Sequence, residues 1–561
     1  MFPRITLGLR FLLLTAFATP GASAAVDPGE ILLSEMNCAA CHEAAEPVKS
    51  RLASRQSPRL GKDGVRISPA HLRAFLENPV ATKPGTLMPD MLHGLEPAKK
   101  AEVAEALTHY LISLQTPDRA IQPAASTTTI ATGNKLYHTL GCVQCHAPHE
   151  LPSNAAKRAN AQSDFEQLQQ SSVPLGRLAE KYTVTELAVF LKDPLRVRPA
   201  GRMPSLSLDD AEARAIAMYL LREQIPADAT AEGKAMALIG AVPFVVDPSK
   251  AAQGAHHYAR FQCANCHGML PATGPLDALT PSAKPLARLR ARQPAGCLAT
   301  RQSDRVPKFE ISDRQRVVLL AILQNQAALA EPLEPASAIK RTMTTLNCYA
   351  CHQRDRRGGP EGLRREYFTS TTGADLGDEG RLAPNLNVIG AKLRPEWTRD
   401  VLTRGTSLRP YMVTRMPLFG PASVHELPAL FEKADARVDA LPEPDVSTPE
   451  MAILANDAGR KLIGSGGLNC ISCHDFAGKK SIGAPGIDLA LSARRLKWDW
   501  FHRCLLDPAL LRSGTRMPEF WPKGIATKKD LPGTDGEEQI LAIWTYLARE
   551  DFSSLPPGLG K

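Results

Sequence analysis

Aromatic side chains are scarce in this 561-residue chain: 5 Trp, 9 Tyr and 16 Phe, about one residue in twenty. Large cores built mainly on stacked rings are therefore excluded. Cysteine is scarce too; 12 residues are too few for a disulfide scaffold, so their spacing is what informs. Beyond the N-terminus no apolar run approaches the roughly 20 residues of a membrane span; the longest, 235–246, is broken by Gly240 and Pro243. A Gly-rich phosphate loop, a dinucleotide fingerprint and a basic-aromatic stripe for nucleic acid are all missing. What remains is an ordinary globular balance, 43% hydrophobic and 22% charged, with 46 Pro and 39 Gly that predict short helices and long connections. Collagen, wholesale disorder and a polytopic membrane protein are excluded, and the length predicts three to four domains at about 150 residues each.

Residues 1–24 read as an export signal. Arg4 and Arg10 form a basic start, 11–18 an apolar stretch, and Ala22-Ser23-Ala24 a small-x-small site cleaved before Ala25. An uncleaved anchor would need a longer apolar run than one ended by Pro20-Gly21. The mature protein is expected in the periplasm.

Ten of the twelve cysteines fall into five copies of Cys-x-x-Cys-His: Cys38/Cys41/His42, Cys142/Cys145/His146, Cys263/Cys266/His267, Cys348/Cys351/His352 and Cys470/Cys473/His474. At these residue frequencies chance would give on the order of 0.006 copies. Two thiols at this spacing can each add to one vinyl group of a haem, and the adjacent His is then carried over the iron as its proximal ligand. A zinc ribbon pairs Cys-x-x-Cys units but has no use for a His after each pair, and one thioredoxin-type redox pair normally suffices. The expected cofactor is haem c, five per chain, attached covalently through these ten thiols.

Downstream of four motifs stands a Met-Pro pair, at Met88, Met203, Met416 and Met517, three of them preceded by Arg202, Arg415 and Arg516. A thioether is a soft neutral ligand that favours ferrous iron, and the following Pro stiffens the loop presenting it. These four are the candidate distal ligands; Met91 and Met412 lack the Pro and read as packing. Amphipathic segments follow the Met pairs, as in 101–114, 209–221 and 538–547, and helical segments lead into the motifs. A Pro/Leu-rich stretch lies between motif and Met at Pro58-Arg59-Leu60, Pro174-Leu175-Gly176, Pro285-Leu286 and Pro384-Asn385-Leu386. This order resembles the class I cytochrome c family, over nearly the whole mature chain. The resemblance implies an all-α protein of five tandem cytochrome c-like helical domains with long irregular loops, at 25–116, 130–224, 248–330, 338–434 and 448–550.

The third copy departs from the pattern, with Val306-Pro307 where Met-Pro should stand. Three readings stay open: ligation by His256 or His257, an open site for a small molecule, or a degenerate site closed by water or a non-ligating group. The spare Cys297 and Cys504 read either as an interdomain disulfide or as two buried thiols, the second being preferred. Insertions mark copies two (153–172) and four (354–381), and the arginines of the latter, Arg356, Arg357, Arg364 and Arg365, read first as a solvated loop. The net charge of +9 is offset by two propionates on each haem, so it says nothing firm about acidic partners. The expectation is an electron carrier between a periplasmic or membrane dehydrogenase and an oxidase or another cytochrome, with peripheral membrane association. The rival is a peroxidase-like enzyme or gas sensor at the third haem.

Overall fold

The helices that lead into the motifs start where the chain supplies both a cap and a stiffened first turn. Asp27 accepts from the Gly29 amide at 2.7 Å ahead of Pro28–Glu35, and Asp247 accepts from the Ser249 and Lys250 amides ahead of Pro248–Arg260. Thr127–Thr139, Pro335–Thr345 and Pro449–Leu454 lead into the other three motifs, the last continued through a wide turn at Ala455–Gly459 to Arg460–Ile463. The helices that close the units are Pro97–Ser113, Asp210–Leu220, Asp313–Gln324, Leu427–Ala434 and Gly536–Leu547. Reciprocal side-chain caps, Asp209 with Glu212 and Ser312 with Gln315, begin two of them. The computed structural model describes residues 26–52, 55–61, 67–115, 127–152, 154–224, 244–270, 283–289, 294–304, 306–373, 376–483, 486–512, 514–530, 535–549 and 551–559. The export signal and most of the linkers at 116–129 and 225–247 lie outside them. The fold is all-α; the described strands are two short two-stranded ladders. No helix among the described residues is long and apolar enough to cross a membrane.

Leading and closing helices cross at close range, and a glycine makes the approach possible. A Cβ on Gly133 would come within 1.9 Å of the Ala215 carbonyl, and one on Gly459 within 2.1 Å of the Ala542 carbonyl, so both crossings lie within one sequence segment. Pro335–Thr345 likewise packs on Leu427–Ala434. The segments 25–116 and 248–330 do otherwise. Gly29 packs on Val318 and Ile322, where a Cβ would come within 2.4 Å of the Val318 carbonyl, and Gly254 packs on Ala106 and Tyr110, within 2.1 Å of the Ala106 carbonyl. The leading helix of each therefore pairs with the closing helix of the other.

The two cores follow the exchange. Leu33, Met36 and Leu52 are buried with Leu286, Ile311, Leu319 and Ile322, whereas Leu72, Leu92, Val103 and Leu107 are buried with Tyr258. The link is physical: after the first motif the chain runs to Leu60–Gly61, which pairs in parallel with Met269–Leu270 just past the third motif. Residues 67–115 are thereby delivered to the third motif's core. Nothing in a helix–helix crossing requires the two helices to be near in sequence, since loop closure grows only slowly in cost with length. The tandem expectation closes each segment on itself, and here the structure replaces it with an exchange.

Candidate haem sites

All five Cys-x-x-Cys-His runs form the same tight turn. The residue before the first Cys has a positive φ, 53° at Asn37, 55° at Gln262, 54° at Asn347 and 58° at Asn469, with Gly141 at 124°. Asn and Gly tolerate that region, which ends the leading helix and turns the chain sharply. A single 3-10 turn follows, and each His amide donates to the carbonyl of the first Cys at 2.9–3.0 Å. Both thiols and the imidazole are thus displayed from one turn.

Each imidazole is then locked from behind. Nδ1 donates to the Lys284 carbonyl from His42 (2.8 Å), to Val173 from His146 (3.0 Å), to Pro58 from His267 (2.8 Å), to Pro384 from His352 (2.8 Å) and to Ile487 from His474 (2.9 Å). With the proton on Nδ1, the Nε2 lone pair is left for a metal, the usual arrangement behind a ligating histidine. Burial also holds His146, His267, His352 and His474 below the ordinary imidazole range, which favours the neutral ligand form. In every case the acceptor lies two residues before a Leu: Leu60, Leu175, Leu286, Leu386 and Leu489. The Pro/Leu-rich stretches signalled this segment; its role as a backstop for the imidazole was not read from the sequence. For the first and third motifs the acceptor again comes from the other segment.

The donor sets fit covalent haem better than zinc. Burial pushes Cys38, Cys142, Cys263, Cys348 and Cys470 up to about 12, so they stand as neutral thiols, and the His placed directly after each pair is what a haem rather than a zinc ribbon requires. Among the described residues no three His, Cys, Asp or Glu side chains converge as a metal cluster. Three cations fit a carboxylate-bearing group: half-buried Lys181 and Lys392 and buried Arg495, each ending a short helix, form no ion pair with a carboxylate among the described residues. Burial brings the two lysines down to about 7 and Arg495 to about 10, so an anion placed beside them would recover a desolvation cost.

The candidate distal loops meet in pairs. Two residues beyond Met203 and Met416, Ser205 and Leu418 form an antiparallel bridge with N···O distances of 2.9 and 2.8 Å. Two residues beyond Met88 and Val306, Asp90 and Lys308 form the same bridge at 2.9 and 3.2 Å. At both joints the second Cys of one motif sits beside an Asn of the other: Cys145 beside Asn347 and Cys41 beside Asn265. A second joint also recurs, with the Ser68 amide on the Lys181 carbonyl (3.0 Å) and the Arg394 amide on the Arg495 carbonyl (2.9 Å). Met517 stands apart from these pairings; its amide donates to Thr515 Oγ1 at 3.3 Å, as that of Met88 does to Thr86 Oγ1.

The surroundings of these groups differ from site to site. The ten motif thiols are not equivalent: Cys473 is exposed, whereas the other nine are partly covered. The reason is the pairing of the motifs. Cys41 has Cys266 as an electrostatic neighbour and Cys145 has Cys351, so four of the five second cysteines are covered where two motifs face each other. Cys473 has no such counterpart among the described residues; its sulfur lies 3.6 Å from Ser472 Oγ of its own turn, while Cys470 stays packed against the core of its unit. His256 is exposed and His257 faces Lys99 and Glu102 in an open groove, while Tyr258 on the inner side donates to the His267 carbonyl at 3.2 Å. Cys297 and Cys504 are both free; the first has Cys38 and Cys41 as electrostatic neighbours, the second Lys392, Arg512 and Arg495. Arg364 is no solvated loop residue, since it donates to the Val143 carbonyl and to Ser172 Oγ and lies beside Cys145 and Cys351. Its neighbours Arg356 and Arg357 are exposed.

The family model for cytochrome c matches residues 130–223. That stretch is similar to a cytochrome c domain. The match spans the second leading helix, its Cys-x-x-Cys-His turn, Met203 and the closing helix, and such a domain carries covalently bound haem c for electron transfer. No curated protein and no solved structure matches the chain.

Proposed function

We propose that this protein is an exported pentahaem c-type cytochrome that relays electrons from a periplasmic or membrane dehydrogenase to an oxidase or another cytochrome. The observation that carries the reading is the fivefold repetition of one geometry: a Cys-x-x-Cys-His turn whose imidazole is held by a backbone carbonyl. Bound haem supplies a one-electron couple at each iron. The chain's own part is to fix each imidazole by its Nδ1 bond, to present Met88, Met203, Met416 and Met517 from Pro-stiffened loops, and to set burial around each site. The two kinds of joint alternate along the sites of His42, His267, His146, His352 and His474, which supports a relay in that order rather than in sequence order. Peripheral association with a membrane-bound donor fits the same role. Val306 alone supports the second reading, a small-molecule-binding or peroxidase-like haem.

The test is the protein purified from the periplasmic fraction, with intact mass and a potentiometric titration. Five covalent haems and five one-electron waves are expected. One haem, located in 130–223, would leave a single-domain carrier and sink the relay.

A further inference from the structure

We infer that two of the haem sites are composite: the haem on Cys263 and Cys266 takes Met88 from the first segment, and the haem on Cys38 and Cys41 faces Val306 and has no thioether. This rests on the five-haem reading and moves the exceptional site from the third motif to the first.

The cores carry the assignment. In the second segment, the only arrangement needed is local: Leu206 and Leu208, just past Met203, pack in the core that holds Cys142. Leu92 and Leu95, just past Met88, pack in the core that holds Cys263. Phe309 and Ile311, just past Val306, pack in the core that holds Cys38. Each distal loop thus feeds the core of the motif it would serve, and for these two the motif is in the other segment. Leu87, directly before Met88, packs instead against the core of Cys38. That is the counterpart of Arg415, directly before Met416, which reaches across to Glu212 of the second unit at 2.6 Å. Adjacent residues of an extended loop point to opposite sides, so Leu87 facing one unit sends Met88 toward the other.

The proximal side agrees independently. His267 is backed by Pro58 and His42 by Lys284, so each imidazole is positioned by the chain that also supplies its distal loop. A site at His42 with an imidazole on one side and Val306 on the other admits a small neutral ligand such as carbon monoxide. It also lies at the end of the alternating series of joints, where a ligand could enter without interrupting the relay.

Carbon monoxide bound by the fully reduced protein decides the pairing. Met88→Ala is expected to add one CO-binding haem per chain. That gain should vanish when the third motif is removed by Cys263→Ala with Cys266→Ala, and persist when the first is removed by Cys38→Ala with Cys41→Ala. The opposite pattern, or no gain from Met88→Ala in any background, overturns the inference. Val306→Met gives a second reading in the same backgrounds: one haem potential should rise in the protein lacking the third motif and none in the protein lacking the first. Intact mass separates the two levels of failure. Four haems in each deletion confirm that the rest of the protein matured, and an unaltered protein that carries no haem on the first or third motif defeats the five-haem reading and this pairing together.

Discussion

His267 Nδ1 donates to the carbonyl of Pro58 at 2.8 Å, across 209 residues of chain. A proximal imidazole is useful only if its orientation is fixed, and here the fixing atom belongs to a stretch that follows a different Cys-x-x-Cys-His turn. The bond, the parallel pairing of Leu60–Gly61 with Met269–Leu270 and the crossing of Gly254 on Ala106 are three local consequences of one exchange.

The crossing glycine is directly testable. Gly254→Ala places a methyl group 2.1 Å from the Ala106 carbonyl, inside a helix contact that cannot relax without separating the helices. A loss of about 1–3 kcal/mol is expected, read by chemical denaturation. Gly466→Ala, where nothing lies within 4 Å, should be close to neutral.

Glu30 ties the first leading helix to the rest of the molecule. It is 1% exposed and accepts from Arg51 at 2.8 Å and from Arg341 of the fourth segment at 2.9 Å. Burial, the largest single influence, pushes its carboxyl up, but the two guanidiniums together bring it below the ordinary value of 4.5. A depressed carboxylate stabilises the fold fully above its unfolded pKa, and that stability is lost as pH falls through the folded value. Denaturation midpoints should therefore drop below about pH 4.5 more steeply in the parent than in Glu30→Gln. At neutral pH Glu30→Gln should cost about 3 kcal/mol, the low end for a buried pair because both guanidiniums keep some water.

Loss of a distal thioether should show in the potential of one haem. Met203→Ala, in the segment that the cytochrome c model matches, is expected to lower one wave of the potentiometric titration by on the order of 0.1 V, a fraction of the roughly 0.8 V that axial ligation spans. The remaining waves should stay in place. An unchanged titration would remove Met203 from the ligand set.

The two spare thiols give a simple count. Alkylation of the denatured, unreduced protein should add two groups, at Cys297 and Cys504, because both are free and differ in surroundings. A disulfide between them would leave the count at zero. In the folded protein Cys504 should react slowly, being buried with its thiol pushed up by that burial.

Much of this was legible locally and little of it globally. The turn is written in five residues, and the helices before it are announced by Asp-Pro at 27–28 and 247–248. The crossing glycine had a signal as well: Gly29, Gly133 and Gly254 each stand nine residues ahead of a first motif Cys. What the sequence could not show is which closing helix each glycine meets. Ala106 and Val318 both offer a backbone surface that a glycine can approach, and choosing between them depends on where the chain goes after Leu52. The exposure of Cys473 was hidden in the same way, because five identical motifs carry no sign of which ones will face each other. Arg364 was misread for a related reason, since an arginine in a Gly-rich insertion carries no mark of the carbonyl it will cap.

Because Leu286, Ile311, Leu319 and Leu329 complete the core around Leu33 and Leu52, the first motif to be synthesised cannot be enclosed until residue 329 has followed it. The second unit also borrows: its helices both come from 127–220, but Leu363 and Tyr367 of the fourth segment are buried in its core. A fragment cut after residue 115 would therefore carry a motif with no partner to shelter it, and one cut after residue 224 would leave the second core without its lid of Leu363 and Tyr367.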